Sequence, residues 1–114
     1  DWIEANFQNK RTMLVNIVKL FLANLPQDIK AIRQALLRED MPMLCRLAHT
    51  LKGGAGVVGA ARVRHCALEL EMAARDQDAF RAWTALRDLD EAADRVLALL
   101  TREYPESAPV PGKA

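Results

Sequence analysis

His49, Lys52 and Gly53 open the stretch HTLKGGAGVVG, residues 49–59, and are the residues of this chain best suited to do chemistry. A neutral imidazole presents a ring-nitrogen lone pair that can attack without prior deprotonation. Lys52, three residues on, lies one turn along the same helical face, where its ammonium can reach a group carried by the imidazole. A mobile point charge suits a cluster of anionic oxygens, so the pair reads as a phosphorylatable histidine and its steadying cation. Gly54, Gly56 and Gly59 of the same stretch also spell G-x-G-x-x-G, and Asp76 stands about 20 residues further on, as a dinucleotide-binding loop requires. Such a loop needs a strand before its first glycine. MLCRLAHTLK has helical period instead, and the chain shows no sustained alternation that would supply a parallel sheet.

On the helical reading, Leu44, Leu47, Ala48, Leu51, Ala55 and Val58 form one apolar side. Cys45, Lys52, Gly53 and Gly56 all fall within about 60° of His49 on the other. An outward histidine on an amphipathic helix is ordinarily a solvated surface residue. The glycines argue for more. Gly53, Gly54 and Gly56 together forgo about 3 kcal/mol of helix propensity relative to alanine, in a domain whose net stability is typically about 5–15 kcal/mol. A turn without side chains after His49 leaves the imidazole clear and lets another surface approach closely.

The elements that must position these residues all read as helices. Leu14, Ile17, Val18, Phe21 and Leu25 make one stripe of a helix from about Asn6 to Leu25, which Pro26 punctuates. Ile29, Ile32, Ala35 and Leu36 face inward on a second helix ending near Arg38. Asp40 caps the helix that carries His49, with Pro42 tolerated in its first turn, and Gly59 stands at its C-terminal cap. A helix from about Ala60 to Arg75 follows, with Val63, Cys66, Ala67, Leu70 and Ala74 on one side. Asp78 caps the last, whose buried stripe is read as Trp83, Leu86, Leu89, Ala93, Val96, Leu97, Leu100 and Tyr104. The expected fold is all-α: an antiparallel four-helix bundle with a short additional N-terminal segment or helix, spanning residues 1–104. Residues 105–114, PESAPVPGKA, read as a disordered tail or linker.

Composition narrows the function classes. At 114 residues the chain is one domain with room for one core. A net charge of +1 gives no general reason to expect nucleic acid. Cys45 and Cys66 are too few for a disulfide framework and read as free thiols in a reducing cytoplasm. No apolar run reaches the roughly 18 residues of a membrane span, and no secretory leader is visible. A start at Asp1 fits an excised domain of a longer protein or removal of a tag. Trp2, Trp83 and the methionines read as core or terminal anchors. With no heptads and no exposed apolar stripe in this reading, a monomer is expected.

AHTLKGGAGVVGA, residues 48–60, resembles the signature of the histidine-containing phosphotransfer (HPt) domains of bacterial phosphorelays. The acidic turn at Glu39 and Asp40 and the stretch LEMAAR, residues 70–75, are similar to their counterparts, and the resemblance covers about residues 7–104. It implies that His49 accepts a phosphoryl group, on the ring nitrogen remote from the backbone, from a receiver-domain aspartate and passes it to another receiver. Lys52 would steady the phosphoryl oxygens. Cys45, Arg46, Gly53, Gly56, Glu71 and Arg75 would meet the partner. The resemblance also implies a phosphoryl carrier with no ATP site and no bound cofactor, Mg²⁺ being held by the receiver. It fits a cytoplasmic piece of a hybrid sensor kinase, itself soluble or membrane-bound, with no membrane contact by this domain.

Glu71 and Arg75, four apart, are equally an ordinary surface ion pair. On the functional reading Arg75 helps stabilise phosphate while Glu71 orients the imidazole or Arg75, a carboxylate near phosphate being unfavourable unless so paired. Residues 41–75 carry five Lys/Arg against two Asp/Glu, whereas 76–104 carry four against seven. A basic half suits an acidic receiver pocket by steering encounter. Rival readings are a docking bundle whose histidine is never phosphorylated, the phosphoacceptor domain of a chemotaxis-type kinase, and a zinc site built from Cys45, His49, His65 and Cys66. Retention of His49, Lys52 and Gly53 weighs against the first, and poor convergence against the zinc site.

Overall fold

The structure, a computed structural model, describes residues 1–108. Four helices follow one another: α1 (Trp2–Leu37), α2 (Met41–Val57), α3 (Ala61–Arg75) and α4 (Ala79–Glu103), closed by a 3₁₀ turn, Pro105–Ser107. Each packs against its sequence neighbours and α1 returns to α4, so the helices run up and down around one core. No strand occurs among the described residues. The fold is the expected all-α bundle.

Three connections of identical design reverse the chain. In each, the first residue past the helix cap takes a left-handed conformation: Glu39 at φ 55°, Gly59 at φ 72°, Gln77 at φ 56°. The residue after it donates its N–H back into the last turn, Asp40 to the Ala35 carbonyl at 2.9 Å, Ala60 to Ala55 at 2.8 Å and Asp78 to Ala73 at 2.9 Å. This is the Schellman closure. That same residue then starts the next helix, and the Asp40 and Asp78 carboxylates accept from Met43 N–H (3.1 Å) and Arg81 N–H (3.0 Å) as the sequence indicated. Stop signal and start signal overlap within three residues, which forces antiparallel neighbours.

Pro26 does not end a helix. The sequence reading split residues 6–38 at this proline, but α1 is continuous through it. Pro26 is solvent-exposed, and the inward stripe keeps its phase across it, from Phe21 and Leu25 to Ile32 and Leu36. The helix therefore forgoes the hydrogen bond to the Leu22 carbonyl and retains its packing. The separate N-terminal segment is absent, being the first turns of α1.

The core is aliphatic and alanine-rich. Ile32, Leu44, Leu70 and Leu89 are completely buried, and Ala48, Ala55, Ala67 and Ala73 let α2 and α3 approach closely. Each fully buried Leu or Ile contributes about 1.5–3 kcal/mol. The two tryptophans are not core anchors: Trp2 is 78% exposed and Trp83 is 41% exposed. Leu14 and Leu97, read as buried, are also substantially exposed. Leu14 continues upstream as Phe7 and Ile3, both exposed, so α1 does carry an open apolar stripe. The sequence reading missed it because it placed Leu14 in the core and left Ile3 outside its first helix.

The tail read from residue 105 onward begins within the packed body. The 3₁₀ turn buries Ser107, and Glu106 accepts from Arg11 at 3.2 Å while the Arg11 guanidinium lies 5.3 Å from the Tyr104 ring centre. Residues 109–114 of the expected tail lie outside the described residues.

Candidate functional site

The turn at Gly59 dictates which residues meet. α2 and α3 run antiparallel from it, so positions equally removed from Ala60 face each other, and His49 and Glu71 each stand eleven residues away. His49 donates Nδ1–H to Glu71 Oε2 at 2.9 Å. Lys52 donates Nζ–H to Glu71 Oε1 at 2.6 Å, and Arg75 donates Nη2–H to Oε2 at 3.0 Å. One carboxylate thus gathers three basic side chains.

Glu71 is 1% exposed, an unusual place for a carboxylate unless it is paired. The hydrogen bond from Lys52 foremost, then that from His49 and the charges of Lys52 and Arg75, hold its carboxyl below the usual carboxylate range against the opposing effect of burial. Glu71 is therefore an anion in this structure, and an anionic carboxylate only accepts. The proton of the His49–Glu71 bond consequently belongs to Nδ1. In the neutral imidazole this leaves the lone pair on Nε2. The His49 side chain is 66% exposed, so that nitrogen faces solvent from the rim of a half-buried ionic cluster.

Charge balance resolves the difficulty of a carboxylate near phosphate. Lys52 and Arg75 supply two positive charges to one negative, so the cluster with neutral imidazole is net positive. Arg75 keeps most of its side chain in water and Lys52 is largely covered. Lys52 stands one turn along α2 from the histidine, and Arg75, on α3, shares Glu71 Oε2 with it, so both cations lie close to an anion that arrives at the ring.

The other predicted positions lie along α2 without joining the cluster. A Cβ on Gly53 would meet nothing within 4 Å, so the turn after His49 is open. Gly56 faces the Arg64 side chain, at 3.6 Å from its Cβ position. Arg46 is exposed, its Nη2 directed at Met43 Sδ (3.6 Å), and the Thr50 hydroxyl donates to the Arg46 carbonyl. Cys45 turns partly inward against the core, which removes it from the open face its helical angle suggested. Among the described residues no three His, Cys, Asp or Glu side chains converge as metal ligands. Both cysteines are free, and burial, with Asp88 and Glu69 nearby, pushes the Cys66 thiol up.

A family model for the Hpt domain matches residues 16–99, which include every member of the His49 cluster. The chain belongs to the Hpt domain family. The match to Hpt domains supports histidine phosphotransfer in phosphorelays as the general activity and receiver domains as the general class of partner. Neither the curated proteins nor the solved structures gave a match. No helix of this Hpt domain among the described residues is long and apolar enough to cross a membrane.

Two features of this Hpt domain escaped the sequence reading. Glu71 was weighed equally as a surface ion pair with Arg75 and as the group that orients His49 or Arg75, but its near-complete burial as the hub of the cluster was not foreseen; its register opposite His49 across the Gly59 turn was the available signal. Val57, exposed on α2 one residue past Gly56, adds an apolar side chain near the open glycine face.

Proposed function

We propose that His49 is the phosphoacceptor of this Hpt domain and that it shuttles a phosphoryl group between receiver domains. His49 Nε2 attacks the phosphorus of a receiver's aspartyl phosphate; the N–P bond forms as the P–O bond to the aspartate breaks, and the carboxylate leaves with the electron pair. The imidazole becomes cationic, and its Nδ1–H stays on Glu71, which offsets the new charge. Reversal onto the aspartate of a second receiver completes the relay. Lys52 and Arg75 attract the phosphoryl oxygens, while Gly53 lets the receiver's acidic pocket close over the ring. Mg²⁺ belongs to the receiver, so the carrier needs only positioning and charge.

One observation carries this reading: the Nδ1 bond to Glu71 assigns the lone pair of the neutral imidazole to Nε2, on a side chain that is 66% exposed. The parent protein that fits best is a hybrid sensor kinase acting in the cytoplasm. The test is transfer from a panel of phosphorylated receiver domains with Mg²⁺, followed by intact mass. Wild-type chain is expected to gain one acid-labile, alkali-stable phosphoryl group and His49→Ala none. Gly53→Leu is expected to remain folded, because its Cβ meets open space, and to accept phosphate much more slowly. Phosphate on the His49→Ala chain would move the acceptor to another residue, and none on a folded wild type from any donor would favour a bundle that only docks.

A further inference from the structure

α1 outruns the helices it packs against. At about 1.5 Å per residue its 36 residues span roughly 54 Å, matching the 55 Å long dimension of the molecule, whereas the 17 of α2 span about 26 Å. α2 starts from the C-terminal end of α1 and is nearly finished where Gly54 meets the Phe21 ring, 3.8 Å from its Cβ position. The first turns of α1 therefore project beyond α2 and α3, accompanied only by the end of α4 and the 3₁₀ turn.

The inward stripe does not stop where the bundle does. At 100° per residue, Ile3, Phe7 and Leu14 share an arc of about 60° with Val18, Phe21 and Leu25. The last three are buried, but Ile3 and Phe7 are each 69% exposed and Leu14 is 45% exposed. Core-type residues continue outward with no cover from the described residues.

We infer that this arm pairs antiparallel with the same arm of a second copy. Glu4 and Arg11, seven residues apart, lie along one edge of the stripe. An antiparallel two-fold contact centred between Phe7 and Gln8 sets Glu4 of each copy opposite Arg11 of the other, twice over. In a parallel contact this edge of one copy faces the other edge of its partner, so Glu4 and Arg11 do not meet. Arg11 is oriented along that edge by Glu106, the Glu103 carbonyl and the Tyr104 ring, with 44% of its side chain still exposed. With Phe7 worth on the order of 150 Å² and the stems of Glu4, Lys10 and Arg11 also covered, the contact approaches the roughly 1,000 Å² expected of a weak specific interface. The pairing is independent of the phosphotransfer reading. It involves a part of α1 that α2 does not reach, so His49 stays open in both copies.

Sedimentation velocity on the whole chain tests this over a concentration series up to about 0.3 mM, around the range of a micromolar association. The wild type is expected to shift from monomer to dimer. The double variant Ile3→Glu with Phe7→Glu is expected to stay monomeric at unchanged helical circular dichroism, since both positions are exposed. Glu4→Arg and Arg11→Glu are each expected to dimerise at least tenfold more weakly, and mixing the two to restore the dimer, because both cross-pairs are then of opposite sign. A wild type monomeric throughout would overturn the inference. So would a dimer that survives the double variant, or a monomer that floats with anionic lipid vesicles, the sign of a lipid-facing arm.

Discussion

At the scale of single residues, the telling choice is Glu71. A neutral amide there could accept the Nδ1–H and orient the ring, but it could not balance two cations. The carboxylate does both, and it ties the state of the imidazole to a titratable group. Its folded pKa is depressed, so its contribution to stability is present above the unfolded value, about 4.3, and is lost as pH falls through the folded value. Urea unfolding of wild type and Glu71→Gln from neutral to acidic pH should therefore show a wild-type advantage that shrinks below about pH 4. A difference independent of pH would mean that Glu71 is not the anion its partners imply. His49 and Lys52 were legible in the sequence because one helical turn relates them. Their link through Glu71 was only one of two open readings, because i,i+4 spacing to Arg75 alone looks the same on a solvated face as beside a buried one.

Among the elements, connections were read better than interruptions. Asp40, Gly59 and Asp78 announced three turns through cap chemistry, and the turns fall there. Glu39 and Gln77 gave no such notice, since neither residue type favours the left-handed conformation that the closure imposes. Pro26 misled for the opposite reason: a local breaker outweighed a stripe whose phase ran through it. Replacing it with alanine returns an amide to the Leu22 carbonyl at an exposed site, so Pro26→Ala should stabilise the fold by roughly 1–3 kcal/mol. The urea midpoint measures this. A neutral or destabilising result would show that α1 bends at Pro26 and that its packing on α2 and α4 uses the bend.

Over the whole molecule, charge is divided as the sequence indicated, a basic surplus on residues 41–75 and an acidic one on 76–104. The basic share includes Arg46, Lys52, Arg64 and Arg75, which stand on the two helices that hold the His49 cluster. Steering by such a field speeds encounter and is screened by salt. The second-order rate of phosphoryl transfer from a receiver should then fall by about tenfold or more between roughly 20 and 300 mM salt. A flat profile would place recognition in apolar contacts such as Val57. The overall bundle was legible because periodicity reports it directly. The projecting arm was not, since the length of a neighbouring helix decides whether a stripe is core or surface.

The three short turns also set the order in which this protein can assemble. Helices joined by three residues make mostly local contacts, the topology that folds fastest. His49, Lys52, Glu71 and Arg75 all belong to the α2–α3 hairpin, whose ends are close in the chain. The ionic cluster therefore forms when that hairpin closes. Docking of α1 against α4, the pairing most distant in sequence, comes at greater loop-closure entropy and follows it.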